Sequence, residues 1–328
     1  MLPSGGTYHD APKLMLDLVT LGETMVLLLA EQAGPMREAT TFRRHIAGAE
    51  CNVAVGLSRL GHSAGWISRV GDDEFGRAVV FRIRGEGVDT SRVLSDPDAP
   101  TGVVIRERRE VGPIDQVYYR RGSAASRLSP ADLDAAYIGG ARFLHLTGIT
   151  PALSESCKHA VFEAAEIARG AGVRVSLDPN YRSKLWSADD FRRVIRDLAA
   201  RCDILLPGSE EAELLTGDSD PEIAARDLQG LGPSLVVLKL GAQGALAVTQ
   251  DQSTQVPAVP LERIVDPVGA GDAFAAGLLS GMLRGLDTVD TLRLANRCGA
   301  LAMCAPGDME SLPRRAEVEE QGVGDIRR

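Results

Sequence analysis

The chain has 328 residues, 44% of them hydrophobic, and a formal charge of -9. That much apolar material fills one large core or two ordinary ones, and the acidic balance excludes a broad electrostatic grip on nucleic acid or on an anionic membrane, so an anionic ligand has to be met by local cations. The five cysteines, at 51, 157, 202, 298 and 304, form no CxxC pair and no ligand spacing with the five histidines, which argues against a zinc site and a disulfide framework and fits reduced thiols in a cytosol.

Residues 1–14 carry Gly, Pro, Ser and Thr ahead of the first apolar run and are expected to be a loose leader. No apolar stretch approaches the roughly 20 residues of a membrane span, and the start lacks the basic-then-apolar layout of a signal peptide; a soluble, cytoplasmic protein is expected. Short apolar, β-branched runs follow at Leu16–Leu21, Val26–Leu29, Arg142–Leu146, Val173–Leu177, Ile204–Leu206, Leu235–Leu240 and Ala245–Val248. Helical spacing of apolar residues occupies 49–60, 155–170, 188–201, 221–229, 272–284 and 289–304. The alternation predicts crossover units, hence an α/β fold with a mostly parallel sheet between two helical layers, and a ligand site beyond the carboxyl ends of its strands. Two stretches interrupt it. Residues 37–46 and 101–121 alternate polar and apolar residues, the second with a turn signal at Gly112-Pro113, and read as a small antiparallel β flap. With no Pro/Gly/Ser linker in the middle, residues 15–312 are expected to form one domain, and 313–328 a charged C-terminal tail.

The segment most loaded with chemistry is Asp266-Pro267-Val268-Gly269-Ala270-Gly271-Asp272-Ala273-Phe274, which runs directly into a helical pattern. A Gly-Ala-Gly turn at a helix start permits unusual φ values and lets backbone N–H groups converge, and the helix dipole adds positive potential. Such a turn, Gly269, Ala270 and Gly271 here, is a seat for a phosphate or a developing oxyanion. Asp272, in the first helical turn, is placed to take a proton from an attacking hydroxyl. A lone Gly-x-Gly with an acidic residue is more often a tight turn and a helix cap; here the Asp-Pro before it and the small residues after it tip the balance. No GxxxxGK[ST] occurs, protein-kinase signatures are missing, and no GxGxxG follows the first strand, which argues against a nicotinamide dehydrogenase.

These residues resemble the ribokinase-like (PfkB) carbohydrate kinases, whose C-terminal signature looks like DPVGAGDAF. Ala47-Gly48-Ala49-Glu50-Cys51-Asn52-Val53-Ala54 and Gly71-Asp72-Asp73-Glu74-Phe75-Gly76 resemble that family's N-terminal signature, and the likeness runs from about residue 16 to 310. Within the family, Tyr118-Tyr119-Arg120-Arg121-Gly122-Ser123-Ala124-Ala125-Ser126, His145-Leu146-Thr147-Gly148-Ile149-Thr150-Pro151 and Asp178-Pro179-Asn180-Tyr181-Arg182 are most similar to 2-keto-3-deoxygluconate kinases. The resemblance implies a three-layer ribokinase-like fold with a lid, ATP and Mg²⁺ as cosubstrate and metal, a sugar-acid substrate, and a homo-oligomer. It further implies that Gly48 and Asn52 hold sugar hydroxyls, that Tyr118 and Arg120 reach the sugar acid from the lid, and that Arg182 lies near the transferred phosphate. Lys239, Gly241 and Gly244 resemble the nucleotide-side loop, together with Gly269 and Gly271, and Asn296 matches a position near adenine. Glu211 would serve Mg²⁺ through water. Arg120 and Arg182 also suit this role chemically, since a guanidinium engages a carboxylate or phosphate bidentately.

Three positions depart from the pattern. Val104 stands where sugar-acid kinases place a lid tyrosine, Gly208 where the wider family has the Asn of Asn-x-x-Glu, and Cys51 where a smaller residue is usual. The expected activity is ATP-dependent phosphorylation of 2-keto-3-deoxygluconate; the alternatives are a kinase of a neutral ketose or of another deoxy sugar acid and, in a different class, a non-catalytic sugar- or nucleotide-binding relative.

Overall fold

The computed structural model describes residues 15–109 and 114–319; the expected leader 1–14, the Gly112-Pro113 turn and the end of the C-terminal tail lie outside them. Nine strands form the main sheet. In chain order they are β1 (Leu18–Leu21), β4 (Ala64–Gly71), β5 (Asp89–Asp96), β8 (Phe143–Thr147), β9 (Arg174–Asp178), β10 (Ile204–Leu205), β11 (Leu235–Lys239), β12 (Ala245–Val248) and β13 (Ser253–Val256), with β2 (Met25–Ala33), β3 (Phe42–Ala47), β6 (Val103–Arg108) and β7 (Gln116–Tyr119) building a second sheet. The main sheet has the spatial order β13-β12-β11-β10-β9-β8-β1-β4-β5. From β11 to β5 every pair is parallel, and β12 and β13 close the other edge as antiparallel additions.

Alternation along the strands splits the core in two. Leu18 and Phe143 face the helices Ala49–Arg59, Glu74–Gly85, Ala270–Leu283 and Thr288–Ala302, whereas Val19, Leu21, Leu144 and Leu146 face Glu155–Gly170, Ala188–Ala199, Ser209–Thr216 and Pro221–Gln229. The helix starts are legible in the sequence: Asp73, Ser154, Ser187, Asp220 and Asp287 each accept a hydrogen bond from a first-turn backbone N–H. All six expected helices form, with ends shifted by a few residues. Missed were β4, β5, β13, the helices Glu74–Gly85 and Ser209–Thr216, and the short helix Ala135–Gly139. β4 is buried almost throughout and shows no two-residue period, while β5 is a polar edge strand.

The second sheet has the order β3-β2-β6-β7. Its outer pairs are antiparallel, as expected of 37–46 and 101–121, but the central pair β2–β6 is parallel. The Val26–Leu29 run, read as part of the crossover alternation, is the middle of β2 and thus belongs to this lid. This part of the strand is apolar on both faces: Met25 and Leu27 join Ala47, Val104 and Tyr118 on the lid's inner face, while Val26 and Leu28 pack against the main core. Among the described residues no helix is long and apolar enough to cross a membrane.

Candidate active site

The inner face of the lid stands over the carboxyl ends of the parallel strands, and between them lies a cleft of about 1610 Å³. Three strand ends deliver charged side chains to it: Glu23 just after β1, Asp178 at the end of β9 and Lys239 at the end of β11. Of the residues singled out in the sequence, Gly48, Tyr118, Arg120 and Arg182 line the cleft, as do Glu211, Lys239, Gly269, Gly271 and Asp272. Asn52 reaches the same place through its side chain. Ala270, Gly241, Gly244 and Asn296 are not among the lining residues.

The turn before helix Ala270–Leu283 carries Gly269 in the left-handed region, φ 81°, and no side chain caps the helix. The N–H groups of its first turn are therefore unclaimed by a capping residue, which is the arrangement that favours an anion. A side chain at Gly269 would be crowded, since its Cβ would come within 3.1 Å of Asp308 Oδ1, whereas a Cβ on Gly271 would meet Lys239 Nζ only at an ordinary 3.7 Å.

Asp272 is buried beside this turn. Asn52 donates one hydrogen bond of 2.8 Å to Asp272 Oδ2 and another of 2.6 Å to Asp308 Oδ1, so one side-chain amide serves two carboxyl groups. Burial pushes Asp272 well above the ordinary carboxylate range, and the neighbouring Asp308 and Asp178 add to the rise against the pull of Asn52 and Arg182. Burial likewise pushes Asp308 up to about 6. Two carboxyl groups sharing one amide cannot both carry a full charge cheaply, and they titrate as a pair.

On the lid side, Val104 pairs with Tyr118 across β6 and β7, and both line the cleft. Arg120 engages Glu23 Oε2 through Nε at 2.6 Å and Nη2 at 2.5 Å, while Ser123 Oγ donates to Glu23 Oε1. The guanidinium expected to face a ligand carboxylate is thus held by a buried carboxylate of the chain itself. Arg182, by contrast, is exposed at the cleft and forms no salt bridge among the described residues; its guanidinium donates a hydrogen bond to the Tyr181 carbonyl.

Lys239 Nζ lies 2.6 Å from Asp178 Oδ2. Burial alone would lower this ammonium, yet Asp178, Glu211 and Asp272 outweigh it and hold Lys239 above its usual value. Glu211 accepts the backbone N–H of Tyr181 on Oε1 and of Gly208 on Oε2, both at 2.7 Å, so the Gly at 208 is bound through its backbone by the retained Glu. Asn296 is buried and donates to the carbonyls of Val256 and Pro257.

Sequence reasoning missed Asp308, Glu23 and Arg106 altogether and gave Asp178 no task. Glu23 is an isolated charge beside a strand and Arg106 opens the charged run Arg106-Glu107-Arg108-Arg109-Glu110, so in both cases only the partners, far away in sequence, reveal that they are buried. Asp308 follows Gly307, whose φ of 114° marks a sharp turn, a faint signal at best in the sequence.

The pfkB family carbohydrate kinase model matches residues 15–315. The 2-dehydro-3-deoxygluconokinase of Bacillus subtilis (strain 168) is 42% identical over 307 residues, covering 93% of this chain and 95% of that one. A crystal structure of a PfkB protein from Polaromonas sp. JS666 superposes with a TM-score of 0.86 at 41% identity, over 93% of this chain and 100% of that one. The structure of a putative ribokinase II from E. coli in complex with ATP and Mg²⁺ does so with a TM-score of 0.86 at 29% identity, over 93% and 98% of the two chains. The chain belongs to the PfkB family of carbohydrate kinases.

Proposed function

We propose that the protein transfers the γ-phosphoryl group of ATP to a hydroxyl of 2-keto-3-deoxygluconate, giving 2-keto-3-deoxy-6-phosphogluconate. The observation that carries this reading is Asp272, a buried carboxyl hydrogen-bonded by Asn52 inside the cleft and in the first turn of an uncapped helix. In its ionised form Asp272 accepts the proton of the attacking hydroxyl, and the 269–272 amides stabilise charge on the transferred group. Lys239 and Arg182 contribute cations on the phosphate side. Gly48 and Asn52 would meet sugar hydroxyls, and Tyr118 with the unpaired edge of Arg120 would meet the acid from the lid. The likeness to the 2-dehydro-3-deoxygluconokinase of Bacillus subtilis (strain 168) supports the choice of sugar acid.

Glu211 fits a water-mediated role toward Mg²⁺, because each of its oxygens keeps a lone pair beyond the amide it accepts. Among the described residues no group of three or more His, Cys, Asp or Glu side chains stands together to hold a metal ion; this suits Mg²⁺, which keeps several waters and is held largely by substrate phosphates. When bound, the ion would neutralise charge on those phosphates. Gly241, Gly244 and Asn296 are assigned to the nucleotide side by family likeness alone. The exposed Phe42, Val117 and Tyr119 share the lid's outer face, which supports a homo-oligomer that covers it.

A second reading, a kinase of a neutral ketose, is favoured by one observation: Arg120 is already neutralised by Glu23, and Val104 offers no hydroxyl. ADP release with ATP, Mg²⁺ and a panel of 2-keto-3-deoxygluconate, 2-keto-3-deoxygalactonate, gluconate, fructose and ribose separates the two. Preference for a 2-keto-3-deoxy acid is expected. Preference for fructose would replace the substrate and keep Asp272, and no turnover at all would favour a non-catalytic binding protein.

A further inference from the structure

Arg106 lies in the lid strand β6, two residues beyond Val104, so the two side chains share the face turned to the cleft, and both line it. Yet Arg106 does not end in the lid. Its Nη2 stands 2.6 Å from Oδ2 of Asp266, the residue that opens the 266–272 turn, and the two side chains are 3% and 9% exposed. Asp266 in turn shapes the backbone on both sides of the phosphate seat. Its Oδ1 accepts the N–H of Val268 at 3.1 Å, and its Oδ2 accepts the N–H of Gly307 at 3.4 Å, next to Asp308. Asp308 then shares Asn52 with Asp272. A continuous set of buried polar contacts therefore runs from the roof of the cleft, through Arg106 and Asp266, to both sides of the pair of carboxyl groups.

We propose that Arg106 is a positioning residue for phosphoryl transfer: seated from the lid, it fixes Asp266 and through it the 266–272 turn, so that the anion seat is in register only when the lid covers the cleft. The chemistry of a charged anchor explains why an arginine is buried here at all. Without the guanidinium Asp266 would be a buried carboxylate with only two backbone N–H groups to hold it, and the turn would be free to relax around it. Arg106 acts through Asp266 and the turn; it makes no contact with a reacting atom in this account.

The inference rests on the phosphate-seat reading of the turn, and the experiment separates the two. The full-length wild type, Arg106→Met, Arg106→Lys, Asp266→Asn and the double variant R106M/D266N are compared for kcat with ATP, Mg²⁺ and 2-keto-3-deoxygluconate. Sugar-acid affinity without ATP, by calorimetry, and the thermal midpoint are measured alongside. Misplacement of a catalytic turn by even an ångström reduces turnover by about 100-fold, so R106M is expected to lose kcat on that order while its affinity for the sugar acid changes by less than about threefold. R106K should recover part of the loss, and the double variant should be no worse than its poorer parent, because the two residues form one link. The inference is overturned if R106M keeps its kcat, if affinity for the sugar acid falls as far as kcat does, or if the two single losses multiply in the double variant. Should R106M fail to fold, R106K and Asp266→Asn carry the test, and retention of kcat in both overturns it. A wild type that turns over no member of the sugar panel overturns the functional reading and this inference together; a wild type that turns over beside an unimpaired R106M overturns this inference alone.

Discussion

The floor and the roof of the cleft are built on different principles. The floor consists of strand ends and one helix start, and its key groups lie together in sequence or at fixed positions in crossover units: the 266–272 turn, Lys239 at the end of β11, Asp178 at the end of β9. The roof is a lid whose two cleft-lining arginines with buried partners are matched by carboxylates of the body, Arg120 by Glu23 and Arg106 by Asp266. On the floor Lys239 and Asp178 pair with each other, but Asp272 and Asp308 form no salt bridge among the described residues and are perturbed by burial; the two roof arginines are neutralised in place. The carboxyl groups poised for chemistry are held in tension, whereas the charges that seat the cover are paired.

The sharpest way to break that contrast is at its most strained member. Asp272→Asn is expected to lower kcat by about 10³-fold, in the range that a positioned general base supplies, with ligand binding retained and the thermal midpoint unchanged or raised because a buried carboxyl is replaced by an amide. Near-normal turnover would remove Asp272 as the base. Next in size is a roof pair. Glu23→Ala strands the Arg120 guanidinium beneath the lid, and loss of one partner of a buried ion pair costs about 3 kcal/mol, read as a lower denaturant midpoint; an unchanged midpoint would mean that solvent reaches the pair freely.

The perturbed floor also predicts a pH profile. Since burial and neighbouring carboxyl groups raise Asp272, and only its ionised form takes a proton, kcat should fall on acidification at a pH above the usual carboxylate range. Asp308→Asn removes one of the raising charges and should move this acid limb to lower pH, whatever it does to the maximum. A limb that stays in place would uncouple the two groups. The smallest effect concerns the outer face of the roof: Tyr119→Glu should shift the protein toward smaller species in light scattering after size exclusion, with kcat little changed.

Much of this was legible in the chain. The apolar spacing of the six expected helices, the main-sheet strands at Arg174–Asp178 and Ala245–Val248, and the Gly-Ala-Gly turn with Asp272 all rest on local spacing, which a sequence carries openly. The lid was legible in three of its four strands, and β2 was not placed in it. Val26–Leu29 is a continuous apolar run, which suits a strand of the body as well as one of the lid, and nothing local tells which sheet receives it. Arg120 was recognised as important but not as paired, because its partner lies 97 residues earlier. Glu211 was read for its carboxylate, and the two backbone amides that hold it became visible only in three dimensions.

The parallel pairing of β2 with β6 has a consequence for how the molecule assembles. Val26 meets Val103 across that seam, with β4, β5 and two helices lying between them in the chain. A contact of such long sequence separation closes a large loop and gains nothing until that loop is already compact. The lid's centre is therefore expected among the late steps of folding, together with the still longer closure of β1 on β8 in the floor, where Leu18 meets Phe143. Floor and roof are each closed by a long-range seam, and neither is complete until distant parts of the chain have met.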